Sequence, residues 1–321
     1  MRDPAAYRLA AESLGNLPAF MSPWWLDATC GPGGWSAAIV GDPASPSGVL
    51  PYRMTRKFGL RLLGQPPLTQ FLGPWLSPRI QALGTGASEA KEVMGELIDS
   101  LPPHDHYAQN WSPAMQDWLP FYWRGFDQTT RYTYRIPADR AEHDCWALCK
   151  ANIKSDVKKA AGRHGLEVTE QGALAEFMRL NDLTFDRQGK RTPYSAGFVE
   201  RIDAACAERG RRTIIIAKDP AGRSHAGAYI VHDGLTAYYL MGGADPDLRG
   251  SGASSLCLWH AIKLSRRLGV AFDFEGSMMK PVERFFRAFG GEATPFFHVS
   301  RARSKLALAM LAIRKLRAQR Q

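Results

Sequence analysis

Short apolar segments separated by turn residues make up the first 136 positions of the chain. Apolar runs of this kind, bounded by glycine, proline and serine, are typical of strands. Helices are predicted instead over 5–15, from Ser22-Pro23 to Gly31, and over 88–101. The pattern therefore predicts a mixture of helix and strand, with strands over 35–40, 48–57, 59–64, 106–111 and 130–136.

The second half of the chain has a more regular pattern. It opens with one apolar helix face at spacings of three and four residues, formed by Trp146, Cys149, Ile153, Val157 and Ala160. After it the pattern predicts, in order, helices over 174–187 and 196–208, a strand over 211–218, a hairpin over 225–241, a helix ending at Gly269, a strand over 271–276, a helix from Pro281 to Gly290 and a strand over 294–300.

The hairpin has the most specific local signal. Asp233-Gly234 separates two runs of apolar, β-branched and aromatic residues. Both residues of so short a turn must tolerate positive φ, which aspartate and glycine do. We expect the second strand of this hairpin to lead into a glycine-rich loop and then into the helix that ends at Gly269.

That loop has the features of an anion-binding segment. It runs from Gly242 to Ser254 and contains Arg249-Gly250-Ser251-Gly252. Glycines let the backbone approach a ligand closely, and the N–H groups at the start of a helix attract phosphate oxygens. The segment is not a dinucleotide fingerprint, because no GxGxxG follows an early strand. It is not a Walker loop either, because no GK[ST] follows it.

Length and composition favour two domains. The chain has 321 residues, of which 45% are apolar, enough for more than one core. Pro137-Ala138-Asp139 interrupts the pattern between the two halves. The expected domains are 1–137, 138–300 and a basic terminal helix over 301–321.

The chain is strongly basic, with a formal net charge of +10 and a sequence pI of about 9.5. Such a charge favours anionic partners: phosphate-bearing cofactors, nucleic acid or an acidic membrane surface. Lys150, Lys154 and Lys158 share one helix face. This stripe is interpreted either as a contact for phosphate or RNA or as a solvated helix face.

Cysteine and histidine spacings indicate no metal site. The five cysteines are scattered, without a CxxC pair or a cluster at zinc spacing, and His104-x-His106 is interpreted as loop or strand. We expect no metal, a reducing compartment and a cytoplasmic protein. The first fifteen residues lack a continuous apolar core, so no signal peptide is expected.

The carboxyl terminus is predicted to be a helix from Ser304, apolar in its middle and flanked by arginine and lysine. Residues 304–317 are expected either to lie on an anionic membrane face or to dock on a partner, or else to form a buried terminal helix with a frayed basic end.

The order of elements from residue 174 onward resembles the GNAT acyltransferase fold. The family's pyrophosphate loop reads Arg/Gln-x-x-Gly-x-Gly/Ala. Here Arg249-x-x-Gly252-x-Ser254 matches it, with a serine in the last position that can cap the helix.

Further segments look like the BioF2-like/CelD branch, which is related to the Fem peptidyltransferases. They are the lysine-bearing helix over 150–160, the neighbourhood of Arg187 and Lys190, residues 273–277 and the helix over 281–290. The resemblance covers roughly residues 20–300. It implies an α/β fold with a mixed sheet and two tandem GNAT-like domains, of which the first has lost its cofactor loop.

Such a fold implies an acyl-CoA-dependent N-acyltransferase in which an amine attacks the thioester directly. The loop would hold the pyrophosphate, and the strand before it would bond the pantetheine and polarise the thioester carbonyl. The expected cofactor-binding residues are Met241, Gly242, Gly243, Arg249, Gly250, Ser251, Gly252, Ala253 and Ser254.

Glu275 is the expected base and Asp273 the second choice. Both are placed on one strand, where alternate residues face the same side, and a carboxylate pair can raise one pKa toward neutrality. The alternative is that they bind an amine as counter-ions, or form salt bridges with Lys280 or Arg284.

The general acid is the least determined part of the expected site. Many GNAT enzymes carry a tyrosine acid on the next helix, where this chain has Phe285 and Phe286. The remaining donors for the thiolate are Tyr239, Tyr238 or water.

The acceptor is expected to be an amine on a cell-envelope or polysaccharide precursor, an amino acid or a peptide. The candidate contacts are Gln70, Phe71, Arg187, Lys190, Tyr238, Lys280 and Arg284. The segment 65–75 is interpreted either as a wall of the acceptor cleft or as a loop packed under the first domain. Two other functions stay open: a Fem-like aminoacyl-tRNA-dependent transferase and a non-catalytic, membrane-associated scaffold.

Overall fold

A computed structural model describes residues 4–15, 17–84, 86–276, 278–304 and 307–308. Contacts between Cα atoms divide the chain into two units. The first is Met1–Arg131 with Pro295–Gln321, and the second is Tyr132–Thr294. The domain limits expected from the sequence stay a prediction.

The helices and strands of the described residues are numbered in chain order. The helices are α1 (Pro4–Leu14), α2 (Pro23–Cys30), α3 (Pro78–Gln81), α4 (Ser88–Asp99), α5 (Leu119–Tyr122), α6 (Glu142–Leu148), α7 (Ala151–Lys158), α8 (Leu174–Arg187), α9 (Ala196–Glu208), α10 (Ala253–Leu268) and α11 (Lys280–Arg287). The strands are β1 (Trp35–Asp42), β2 (Ser45–Lys57), β3 (Leu60–Gly64), β4 (Trp75–Leu76), β5 (His106–Asn110), β6 (Asp127–Ile136), β7 (Glu167–Thr169), β8 (Arg212–Lys218), β9 (Ser224–His232), β10 (Thr236–Ala244), β11 (Ala271–Asp273) and β12 (Glu292–Ala302).

The first unit has a mixed sheet. Strands β1, β2 and β3 are antiparallel neighbours, β5 lies parallel to β3, and β12 is antiparallel to β5. Alternate residues such as Tyr52, Leu63, Tyr107 and Val299 enter one core beneath α4. The neighbouring positions therefore project from the opposite face of the sheet.

The second unit also has a mixed sheet, in the order β6-β11-β10-β9-β8-β7. β10 and β11 are parallel, and the other pairs are antiparallel. The predicted hairpin is confirmed. Gly234 has a φ of +89°, and the Asp233 carboxylate accepts the amides of Leu235 and Thr236.

Among the described elements, helix α10 contributes the most residues to the core of the second unit. Its apolar residues pack on β8–β11 together with Phe272, Phe274 and Phe289. The order of elements from residue 174 onward, on which the predicted fold depends, is confirmed.

Two predicted elements differ from the structure. The helix expected over 146–160 is broken at Cys149, whose backbone is extended, because the Lys150 amide donates to the Ala288 carbonyl outside the helix. The strand expected over 271–276 ends at Asp273. The buried positions Cys149, Ile153, Val157 and Ala160 are nevertheless those that the periodicity indicated.

Candidate functional site

The site is centred where β10 and β11 part. The two strands pair only at Thr236, Ala237 and Tyr238, whereas β10 continues to Ala244. The register between β10 and β9 also shifts between Tyr239 and Met241, which indicates a β-bulge. Beyond Tyr238 the backbone of β10 therefore has no partner in β11.

The predicted phosphate loop follows β10 and begins α10. Residues Arg249–Ser251 form a 3-10 turn, and Gly252 takes the left-handed conformation at the helix start, with a φ of +82°. The amides of Gly250 and Ser254 lie at or just before the start of α10, where backbone N–H groups have no intrahelical acceptor. These amides and the exposed Arg249 provide the donors that an anion at a helix N-terminus uses.

A neighbouring helix restricts access to the same loop. The Asp156 backbone of α7 lies so close to Gly252 that a Cβ there would be 2.4 Å from the Asp156 carbonyl oxygen. The Asp156 carboxylate accepts from Ser255 Oγ at 3.2 Å. Ser251, Gly252 and Ala253 are buried, whereas Arg249, Gly250 and Ser254 are exposed. A ligand therefore reaches the outer half of the loop.

Asp273 and Glu275 are adjacent, although the expected reason is wrong. Glu275 lies beyond β11 with a φ of +57°, so strand alternation does not align the two side chains. Instead the chain turns back, and the Glu275 amide donates to Asp273 Oδ1 at 2.8 Å. Gly276 then packs against β6, where a Cβ would lie 2.3 Å from the Tyr132 carbonyl oxygen.

The surroundings of Asp273 are provided by β6. Thr133 Oγ1 donates to Asp273 Oδ1 at 2.5 Å, and Arg135 Nε lies 3.4 Å from Oδ2. The cation near Asp273 is therefore Arg135, and not Lys280 or Arg284 as the alternative interpretation expected. Lys280 and Arg284 are exposed on α11.

Burial affects the ionisation of both carboxyls. It raises the pKa of Asp273, while Arg135, Thr133 and the Glu275 amide favour the ionised form. Burial, followed by the nearby Asp273, raises the pKa of Glu275 well above its usual value. A carboxyl with a raised pKa, next to a second one, is what a general base near neutral pH requires.

The two tyrosines expected near the thiolate differ in their surroundings. Tyr238 is buried and donates its hydroxyl to Asp233 at 3.0 Å, at the turn end of the hairpin. The ring of Tyr239 lies against Phe286. Its hydroxyl lies close to the Gly242 backbone, because a Cβ added to Gly242 would be 1.7 Å from the hydroxyl oxygen. Burial raises the pKa of both phenols. Tyr239 is thus the one beside the unpaired part of β10.

Two residues near Gly242 were not among the expected site residues. Asn181 of α8 donates to the Gly242 carbonyl at 2.7 Å and accepts from the Tyr194 hydroxyl at 2.9 Å. Burial raises the pKa of Tyr194 to about 12. A sequence signal existed for Asn181, because it is the polar position on the buried face of the helix over 174–187.

The candidate acceptor contacts do not form one group. Arg187 and Lys190 are exposed at the end of α8 and just beyond it, in the second unit. Phe71 is buried in the first unit with its ring against Phe296, and the Gln70 carbonyl accepts from Asn110. Met241 and Gly243 are buried in β10, where the backbone of α8 covers Gly243.

The lysine stripe lies on a basic surface. An open depression of about 580 Å³ on α7 and the turn that follows it is lined by Ala151, Lys154, Ser155, Lys158, Lys159 and Arg163. Lys159 contacts Asp156, whereas Lys158 and Arg163 have no carboxylate partner among the described residues.

Metal binding and membrane contact can be examined only in the residues that the structure describes. In that part of the chain no group of three or more histidine, cysteine or acidic side chains is placed to hold a metal, and no helix has the length and apolarity to cross a bilayer. Most of the expected helix over 304–317 lies outside the described residues.

A family model described as "Acetyltransferase (GNAT) domain" matches residues 147–287. No curated protein matches the chain. The match contains the loop, the Asp273–Glu275 pair and α10. The expected resemblance to the GNAT superfamily is confirmed, while the BioF2-like/CelD assignment stays a prediction.

Solved structures share the fold over almost the whole chain. FemX matches with a TM-score of 0.65 at 15% identity, covering 92% of this chain and 96% of that one. The C-terminal domain of a putative lysylphosphatidylglycerol synthetase from Agrobacterium fabrum matches with a TM-score of 0.59 at 11% identity and 96% coverage of both chains. A tandem GNAT protein from the clavulanic acid biosynthesis pathway matches with a TM-score of 0.53 at 12% identity and 94% coverage of both. Residues 147–287 therefore match a GNAT acetyltransferase domain, and the chain has the mixed α/β fold that FemX and the tandem GNAT protein also have.

Proposed function

We propose that the protein is an N-acyltransferase that moves an acyl group from acyl-CoA to an amine. The observation that carries the proposal is the Arg249–Ser254 loop, which begins α10 beside the point where β10 leaves β11. Backbone amides at a helix start, a nearby arginine and the edge of β10 that β11 does not pair suit the pyrophosphate and the pantetheine of such a donor.

The proposed reaction uses the carboxyl pair as its base. The amine nitrogen attacks the thioester carbonyl carbon, its proton passes to Glu275, and the carbon–sulfur bond breaks. The backbone of β10 beyond its bulge would donate to the carbonyl oxygen as negative charge develops there. The leaving thiolate takes a proton from Tyr239 or from water.

The acceptor is proposed to be an amine on a peptide, an amino acid or an envelope precursor. Arg187 and Lys190 are exposed cations in the matched domain and would contact an anionic group on it.

Titration calorimetry with acetyl-CoA, a long-chain acyl-CoA and free CoA tests the donor. Arg249→Glu and Gly250→Glu each place a carboxylate on the exposed side of the loop. Gly250 has no atom within 4 Å of an added Cβ, so its substitution leaves the packing intact. Gly252→Asp is a poorer probe, because it collides with Asp156.

We expect both loop variants to weaken CoA binding at least about tenfold, since each adds a like charge beside the phosphates. Arg56→Glu, on an exposed position of β2, is the control and should bind as the unaltered protein does. Failure of the folded, unaltered protein to bind any CoA species would contradict the proposal.

One observation favours a second donor, an aminoacyl-tRNA. The basic depression on α7 lies on the helix that also covers the inner half of the loop. A phosphate backbone would use such a surface without needing Gly252 to be accessible. Lys154→Gln/Lys158→Gln should then weaken binding of charged tRNA and leave acetyl-CoA binding unchanged. The loop variants should weaken acetyl-CoA binding and leave binding of charged tRNA unchanged.

A further inference from the structure

The first unit has a polar cavity that the proposed chemistry does not use. It has a volume of about 350 Å³ and lies on the face of β2, β3, β5 and β12 opposite the core beneath α4. Its polar lining consists of Arg53, Gln65, His106, Asn110, Arg131 and His298. A volume of this size is within the range of small-molecule sites, which begins at about 300 Å³.

Strand alternation explains the composition of the lining. On β2, Tyr52 enters the core and Arg53 faces the cavity. On β5, Tyr107 enters the core and His106 faces the cavity. Polar residues occupy this face at successive strands, so the sequence builds a polar surface where a second apolar layer would otherwise be expected.

The side chain of Asn110 hydrogen-bonds to two side chains of the cavity lining and to the Gln70 carbonyl. Its Oδ1 accepts from Arg131 at 3.3 Å and contacts His298 Nδ1 at 2.9 Å, and its Nδ2 donates to the Gln70 carbonyl at 3.2 Å. An arginine only donates, so the amide atom facing it is the oxygen, and His298 then donates from Nδ1. These contacts fix the Arg131 guanidinium beside the cavity.

The lining is positively charged without compensation. It contains two arginines and no carboxylate. Neither arginine forms an ion pair among the described residues, and burial lowers the pKa of Arg131. A partly buried guanidinium without a counter-ion costs free energy, which a bound anion would offset.

We propose that this cavity binds a small molecule through an oxyanion group, a phosphoryl group or a carboxylate, held by Arg53 and Arg131. The planar guanidinium matches such groups with two parallel hydrogen bonds. The less polar wall, formed by Thr55, Leu62 and Ala108, would contact the rest of the molecule. The proposal goes beyond the acyltransferase, because none of these residues belongs to the loop or to the carboxyl pair.

Calorimetric titration of the whole protein with inorganic pyrophosphate, inorganic phosphate and citrate tests the proposal and separates its two ligand classes. Arg53→Gln and Arg131→Gln should each weaken binding of the preferred anion about tenfold or more, as expected for loss of a charge-assisted hydrogen bond. Arg56→Gln is the matched control, on the same strand and the opposite face, and should change nothing. Arg249→Gln removes any separate contribution from the loop.

Phenylglyoxal modification of the unaltered protein gives a second measurement that does not depend on folding of the variants. Peptide mapping should show that the bound anion slows modification of Arg53 and Arg131 but not of Arg56. Protection by phosphate or pyrophosphate alone identifies a phosphoryl site, and protection by citrate alone a carboxylate site. Equal modification rates with and without every anion, together with unchanged titrations for Arg53→Gln and Arg131→Gln, would overturn the proposal.

Discussion

Glu275 combines a buried carboxyl, a second carboxyl beside it and a backbone φ of +57°. A glutamate in the left-handed region costs roughly 1–3 kcal/mol, which the packing of Gly276 on β6 must offset. Backbone strain of this kind is concentrated at active sites and ligand-binding sites. The conformation therefore supports Glu275, rather than Asp273, as the base.

Substitution of Glu275 by glutamine tests that role. We expect the transfer rate to fall by about 10²–10⁴-fold, the usual contribution of a general base. Donor binding should be retained, because the loop is untouched. Glu200→Gln, an exposed change on α9, is the control. A rate within a few-fold of the unaltered protein would show that another group takes the proton.

The same residue gives a pH dependence of stability. Its pKa is raised in the fold, so between the ordinary value of 4.5 and the raised value the folded state keeps a proton that the unfolded chain has lost. The free energy of unfolding should therefore fall as pH rises through that interval. Urea unfolding at several pH values should show a shallower slope for Glu275→Gln, and identical slopes would contradict the buried placement.

The contact between helix α7 and the start of helix α10 determines which residue can stand at position 252. It makes Gly252 necessary for packing, independently of any ligand, because of its φ of +82° and the nearness of Asp156. Agreement with a phosphate-loop motif therefore combines two requirements, one structural and one chemical.

Gly252→Ala and Gly250→Ala separate these requirements. The first should destabilise the protein by about 2 kcal/mol or more, through backbone strain and collision with α7. The second has an ordinary φ and open space, and should change stability by less than about 1 kcal/mol. Chemical denaturation measures both, and equal effects would refute the packing argument.

Elements were predictable wherever the signal was local. The Asp233-Gly234 turn, the apolar face of Ile153 and Val157 and the order of strands and helices after residue 174 all follow from periodicity and turn chemistry. The position of Glu275 was not predictable in the same way. Its backbone is set by contacts with β6, which lies about 140 residues earlier in the chain, as the Thr133–Asp273 bond shows.

The chain as a whole carries an excess of cations, with 41 lysines and arginines against 31 acidic residues. Lys158 and Arg163 of the depression on α7, and Arg53 and Arg131 of the cavity in the first unit, lack carboxylate partners among the described residues. The surface is therefore expected to attract anionic ligands over a distance that salt shortens.

The salt dependence of donor binding tests whether the net positive charge of the whole molecule attracts anionic ligands. Raising the ionic strength from about 0.05 to 0.5 M should weaken CoA binding roughly three- to tenfold, since the Debye length shrinks by about threefold. Pantetheine, which lacks the phosphates, serves as the control and should bind equally at both ionic strengths. An equal loss for both ligands would exclude an electrostatic origin.

The pairing of β12 with β5 has a consequence for the order of synthesis. His298 contacts Asn110 across 188 residues of chain, and the whole second unit lies between them in sequence. On the ribosome, residues 132–291 are synthesised before β12, the strand that pairs with β5. β5 is therefore made long before its partner β12, and until β12 is synthesised one edge of β5 stays open to mispairing.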